Sequence, residues 1–233
     1  YFFRKNDSLL HFVKPVFDRR VFLKTCTNGS SELMTNLSMS LVNALYNLQL
    51  MKIAGENGVA AYGAVMYVNF IFVATFLGYA IGCAPVISYH YGAGNHAELK
   101  NLYKKSMSII LVWGVILFGA AQLLAPVLSK IFVGYNTGLY AMTLHGFRVY
   151  AIAFLIIGIN IFGSSFFTAL NNGLISAVIS FLRTLVFQVI MVLTLPLWFG
   201  INGIWSAISI AEALTLIMTT TFFVRQKDKC HYL

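Results

Sequence analysis

Glu32, Asn36, Ser40, Asn43 and Asn47 recur at helical spacing inside a segment otherwise rich in Leu, Met, Val and Ala. At about 100° per residue their side chains fall within roughly 80° of one another, so they form one polar face. An amide or carboxylate in hydrocarbon has no water to bond with, so such a face must look into protein or water. Its chemistry is that of a site for a cation, a proton or a hydrogen-bonding solute. One carboxylate can titrate, and the neutral oxygens and amides can orient a ligand without carrying charge. The plainer alternative is that Glu32 sits in the first turn of a helix, where the dipole favours a carboxylate by about 0.3–1 kcal/mol.

Two further charges fall inside apolar sequence. Arg183 shares a helical face with Ser176 and Ser180, and Glu212 shares one with Trp205, Ser209, Leu216 and Thr219. Their helices are consecutive and the two charges sit at similar depth, which predicts an intramembrane ion pair, because two lone charges at mid-bilayer would each be expensive. Asn160, Ser164, Thr168 and Asn171 line one face of the helix before them. That face serves equally for ligand contact or for close helix packing through small polar residues.

These residues need apolar helices to carry them, and the composition supplies them. The 233 residues are 59% hydrophobic and 10% charged, with a mean hydropathy of +0.78, against roughly 25% charged in soluble domains. The predicted fold is all-α, a polytopic six-transmembrane-helix bundle around a polar cavity. Its helices fall at roughly 31–53, 59–91, 104–129, 142–171, 174–198 and 203–225, given that about 20 apolar residues span a bilayer. Asn171-Asn172-Gly173 and the run from Phe199 to Gly203 punctuate the last three. Pro85, among glycines, predicts a kink, and Asn95 with Glu98 has the capping-box spacing of a helix start.

The net charge of +9 invites a nucleic-acid partner, but the positions of the basic residues argue for a membrane. Arg4, Lys5, Lys14, Arg19, Arg20 and Lys24 precede the first helix, Lys100, Lys104 and Lys105 follow the second, and Arg225, Lys227 and Lys229 follow the sixth. Only Lys52 and Lys130 fall at the opposite ends. By the positive-inside rule both termini are cytoplasmic in a multi-pass protein of the cell membrane. Residues 1–28 read as a cytoplasmic or interfacial linker, 29–225 as the six-helix lobe, and 226–233 as a cytoplasmic tail. Tyr1-Phe2-Phe3 followed by Arg4-Lys5 looks like the end of an earlier transmembrane helix, so the chain is expected to be the C-terminal part of a longer protein. Cys26, Cys83 and Cys230 have no metal-ligand or redox spacing. No H-E-x-x-H, G-x-S-x-G or P-loop pattern appears, so no enzyme, metal or organic cofactor is expected.

The segment from Gly78 to Pro85, continuing Val86-Ile87-Ser88-Tyr89-His90-Tyr91-Gly92-Ala93-Gly94-Asn95, resembles the multidrug and toxic compound extrusion (MATE) family. Phe199-Gly200-Ile201-Asn202-Gly203-Ile204-Trp205 is similar to that family's turn into its last helix. The resemblance implies one lobe of a two-lobe transporter, with the N-terminal six-helix lobe of the same parent protein as its partner. It further implies export of small-molecule substrates, often organic cations, in exchange for Na⁺ or H⁺ as the coupling ion. Glu32 then matches a helix where members can carry an acidic group, although Gly29-Ser30-Ser31 stands where G-x-P is usual. Asn160 stands where some members have a carboxylate, and it cannot itself release a proton. The ion or substrate site expected from this is Glu32, Asn36, Ser40, Asn43, Asn47 and Asn160. The rival readings are a lipid-linked oligosaccharide flippase of related architecture and a non-transporting scaffold or truncated lobe.

Overall fold

Asp18 opens the first helix, its Oδ1 accepting from the backbone N–H groups of Arg20 at 2.8 Å and Val21 at 3.3 Å as an N-cap does. The computed structural model describes residues 17–230 and 232. From that cap α1 runs Arg19–Gly92, so the helix starts upstream of position 31 and takes in residues 19–28, which read in sequence as linker. The rest of the expected linker, residues 1–16, lies outside the described residues.

Within α1 only Gly55 leaves helical dihedrals, at φ 62° and ψ −153°, a conformation that a side chain resists. The chain reverses there. Tyr46 and Tyr62 stack with ring centroids 5.0 Å apart, whereas a straight helix would separate them by about 24 Å. The Tyr62 hydroxyl also donates to Asn43 Oδ1 at 3.0 Å. Hence α1 is two antiparallel arms, 19–54 and 56–92. Pro85 keeps helical dihedrals in the second arm, and the reversal at Gly55 falls between the first two expected helices.

The remaining elements are α2 (His96–Val133), α3 (Thr137–Tyr150), α4 (Phe154–Ala169), α5 (Gly173–Phe181), α6 (Phe187–Phe199) and α7 (Ile201–Cys230). A 3₁₀ turn at Ala151–Ala153 joins α3 to α4, and a π turn at Leu182–Val186 joins α5 to α6. Five helical stretches are long and apolar enough to cross a membrane: Asn36–Gly92, His96–Val133, Thr137–Ala169, Gly173–Phe199 and Ile201–Lys227. With α1 folded at Gly55 they make six passes, and no strand occurs among the described residues. Asn95 Oδ1 caps α2 by accepting from the Glu98 N–H at 3.2 Å. The reciprocal half of the capping box is absent, because Glu98 Oε2 accepts from Asn101 Nδ2 and the Asn95 N–H donates to the His90 carbonyl.

The α3–α4 pass occupies the centre. In its apolar window 67% of the residues are buried, against 17–39% in the other four stretches. A helix that is hydrophobic all round must be covered all round, and α4 buries Phe154, Ile157, Phe162, Phe166 and Phe167. Two glycines allow its neighbours close: a Cβ on Gly158 would strike the Phe76 ring of α1, and one on Gly163 would strike Thr219 Cγ2 of α7. Leu123, Leu197, Trp198, Phe70 and Ile71 are exposed on the outer faces, where a multi-pass protein meets lipid.

Candidate functional site

Three central passes converge on one carboxylate. Glu212 of α7 is 1% exposed, and its Oε1 accepts from Arg183 Nε at 2.9 Å while its Oε2 accepts from Asn160 Nδ2 at 2.7 Å. Asn160 Nδ2 also donates to the Glu212 backbone carbonyl at 3.0 Å. Both groups facing that nitrogen are acceptors only, which fixes the orientation of the amide. Asn160 Oδ1 therefore points away, buried and without a hydrogen-bond partner. Arg183 lies in the π turn, a geometry that recurs at functional sites in helices. The Tyr46 and Tyr150 phenols are buried within electrostatic reach of the Glu212 charge.

The arrangement answers the cost of burying charge. The Coulomb attraction of a buried pair roughly balances its desolvation only when the remaining lone pairs are also satisfied. Asn160 supplies that second bond. The structure thus joins Arg183 and Glu212 and adds Asn160, whose amide stands against the Glu212 carboxylate rather than on a separate cavity wall.

Beside the charged cluster, four hydroxyls link α4 to α5. Thr168 Oγ1 lies 2.6 Å from Ser176 Oγ, Ser176 Oγ lies 2.9 Å from Ser164 Oγ, and Ser164 Oγ lies 2.8 Å from Ser180 Oγ. Thr184 Oγ1 donates to the Ser180 carbonyl at 2.6 Å. In sequence these residues appear as one polar face on each of two helices, and nothing in their spacing shows that they interlock. Only the pairing of α4 with α5 across the Asn171-Asn172 turn does so.

The polar stripe on the first arm of α1 is placed differently. Its buried side is Ser38, Val42, Tyr46 and Leu50, spaced by four and turned toward the other passes. Asn36, Ser40, Asn43 and Asn47 are exposed on the adjoining side, about 110° round the helix, with Asn43 accepting from Tyr62 of the second arm. Tyr46 and its neighbours take the packed face of this arm, and the amides of the stripe lie exposed beside it. Glu32 lies on the same arm, and its side chain is outside the described residues. Asn160, by contrast, is fully buried within the bundle and bonded to Glu212.

Residues 33–194 match the MatE family model. No curated protein sequence matches the chain. Among solved structures, the fold is similar to an outward-facing conformation of a multidrug resistance MATE family transporter of the MOP superfamily. That pair has a TM-score of 0.85 and 21% identity, covering 96% of this chain and 51% of that one. A MOP superfamily transporter from Pyrococcus furiosus, described as having a binding pocket of reverse polarity, has a TM-score of 0.85 and 20% identity over 96% of this chain and 51% of that one. A MATE crystal structure in complex with MaL6 has a TM-score of 0.83 and 20% identity, covering 95% and 52%. At such identity the likeness establishes the fold, and the chain spans about half the length of each of these structures.

Proposed function

We propose, for a chain that belongs to the MatE family of membrane transporters, that it forms the C-terminal lobe of a secondary active exporter moving small organic, often cationic, compounds out of the cell against Na⁺ or H⁺. Members of this family are transporters rather than enzymes. The observation that carries the reading is the exposed stripe: Asn36, Ser40, Asn43 and Asn47 are exposed on a membrane-length helix, beside the face that packs on their own bundle. Amides turned to hydrocarbon are expensive, so this face belongs against water or another protein. A second six-helix lobe with a wet cleft between the two provides both, and places the stripe on the cleft wall.

In this reading Glu32 is the titratable member of the wall. Binding of the outside cation or proton at Glu32 and the neighbouring amides favours the outward-releasing conformation, because only a ligand with different affinity for two states shifts their balance. The basic residues beside the ends of the passes support cytoplasmic termini. The flippase alternative draws less support, because the guanidinium of Arg183 is already engaged by Glu212 and an anionic pyrophosphate would need free cationic groups. The test is export by the protein carrying this chain, in proteoliposomes with Na⁺ and pH gradients imposed separately. Glu32→Gln keeps size and hydrogen bonding but removes the charge, and should abolish gradient-driven export at unchanged membrane levels. Asn47→Ala should weaken it only. Export by Glu32→Gln at the wild-type rate would overturn the role of Glu32.

A further inference from the structure

We propose that the groove between the second arm of α1 and α2 is a lipid site, seating an acyl chain of an anionic phospholipid from the leaflet at the basic end of the passes, with the phosphate on Lys105. The inference goes beyond the exporter reading and does not depend on it.

The groove encloses about 270 Å³ and is lined by Thr75, Phe76 and Tyr79 of α1 and by Ile109, Ile110 and Trp113 of α2. Two hydrogen bonds between the helices brace it. The Tyr79 hydroxyl donates to Ser106 Oγ at 3.0 Å, and Trp113 Nε1 donates to Thr75 Oγ1 at 2.9 Å. Thr75 in turn donates to the Phe72 carbonyl at 2.7 Å. An indole N–H is a donor only and a phenol needs a partner away from water, so these bonds take up the polar tips of the aromatic walls. Ring faces and aliphatic carbon are what remain open. A solute that must hydrogen-bond is penalised there, whereas a hydrocarbon chain sheds nothing and gains contact along its length.

Depth in the bilayer sets which part of a lipid meets the groove. Lys104 and Lys105 are the last charges of α2 before the charge-free run 106–129, which is about 36 Å long at 1.5 Å per residue and fills the ~30 Å hydrocarbon layer. Lys105 therefore lies at headgroup level. Ile109 and Trp113 follow on the same side of the helix, about 6 and 12 Å deeper, where acyl carbons run, while Lys104 falls on the far side. Ile71, Val112 and Ile116 beside the groove are exposed and apolar, unlike the amides of the stripe, so this face meets lipid rather than the cleft. Lys105 is exposed and forms no ion pair among the described residues, and Glu98, the acidic residue of α2, is two turns away and accepts from Asn101. Its ammonium is available to a phosphate, with its stem along apolar surface.

The test uses the protein carrying this chain in vesicles of phosphatidylcholine and phosphatidylglycerol, doped with one or the other lipid bearing a photoreactive diazirine on its acyl chain. Crosslinked residues are mapped by mass spectrometry after illumination. Label from the phosphatidylglycerol should concentrate on 75–79 and 109–113 and exceed that from the phosphatidylcholine about fivefold, the ratio equivalent to about 1 kcal/mol for one lysine at an anionic surface. Lys105→Gln should bring the two lipids to parity in the groove and leave labelling at Leu123, exposed toward the other end of α2, unchanged. Ile109→Trp, at an exposed position, should fill the groove and remove label from both lipids there. If one variant fails to insert, the other decides. Equal labelling by the two lipids in the wild type, or a preference that survives Lys105→Gln, would overturn the site by reducing it to ordinary lipid contact. Loss of label on adding a fluorescent organic cation would overturn it in favour of a substrate site. A groove that neither lipid labels while Leu123 is labelled would overturn it in favour of a protein contact. Export is not among the readouts, so each of these results leaves the exporter reading standing.

Discussion

Replacing Arg183 with Met strands the carboxylate of Glu212, and the geometry around the pair predicts an asymmetric double-mutant cycle. The Glu212 side chain is 1% exposed and that of Arg183 is 13% exposed. Arg183→Met therefore leaves the more deeply buried partner charged, with only Asn160 Nδ2 still bonded to it. Breaking one side of a buried pair typically costs about 3–5 kcal/mol, and this variant should lie at the upper end. Glu212→Gln keeps an oxygen for Asn160 and leaves a guanidinium on a long stem that can move its head toward a wetter region, so about 2–3 kcal/mol is expected. The double replacement leaves no buried charge and should cost less than Arg183→Met alone, which requires a coupling larger than the Glu212→Gln loss, above about 3 kcal/mol. Reversible unfolding in mixed micelles, followed by intrinsic fluorescence, measures all four corners. Losses that add to within about 0.5 kcal/mol would show that the two groups do not act as partners, and that Asn160 rather than Arg183 keeps the buried carboxylate in place.

Three other outcomes follow from the packing. With the native cysteines replaced, a cysteine at Ala97 should label from the cytoplasmic side and one at Tyr135 from outside, since both positions are exposed and lie at opposite ends of α2; labelling from one side only would end the six-pass topology. Gly163→Ala should cost about 1–3 kcal/mol by driving a methyl into Thr219 Cγ2, and adding Thr219→Ser should restore most of it; an undamaged Gly163→Ala protein would show that α4 and α7 are not in contact there. Tyr232 packs on Tyr103 and Phe166, with its hydroxyl donating to the Phe223 carbonyl at 2.9 Å, so Tyr232→Ala should cost about 3–5 kcal/mol. Burial pushes its phenol upward, so its contribution is complete below the unfolded value of about 10 and declines as pH rises beyond that. A Tyr232→Phe protein with the same alkaline unfolding curve as wild type would show that this phenol does not set the alkaline limit.

Apolar run lengths and turn residues made the six passes legible, because both signals are local: hydrocarbon thickness sets one and backbone sterics the other. What periodicity does not carry is which side of a polar helix faces its neighbours. Asn36, Ser40, Asn43 and Asn47 define a stripe in sequence, but Ser38, Val42, Tyr46 and Leu50 define the packed side, and only the fold chooses between inward and outward. The ion pair was accessible because matched depth on adjacent antiparallel helices is itself a sequence property. Asn160 was not, since its partner is 52 residues away and on a helix that is not its neighbour in sequence. The hydroxyl chain was half visible, as one face on each of two consecutive helices, with the interlock set by the turn at Asn171, where φ is 58°.

The exposed stripe and the buried ion pair are distinct polar systems in sequence and in structure, and the fold brings Asn160 to the ion pair. The stripe residues are exposed, whereas Glu212 and Asn160 are buried. The first arm of α1 stands next to both, with Tyr46 buried and the exposed Asn43 holding Tyr62 of the second arm. Tyr46 stacks on that same Tyr62, so ring stacking and the Asn43 bond together tie the two arms of α1.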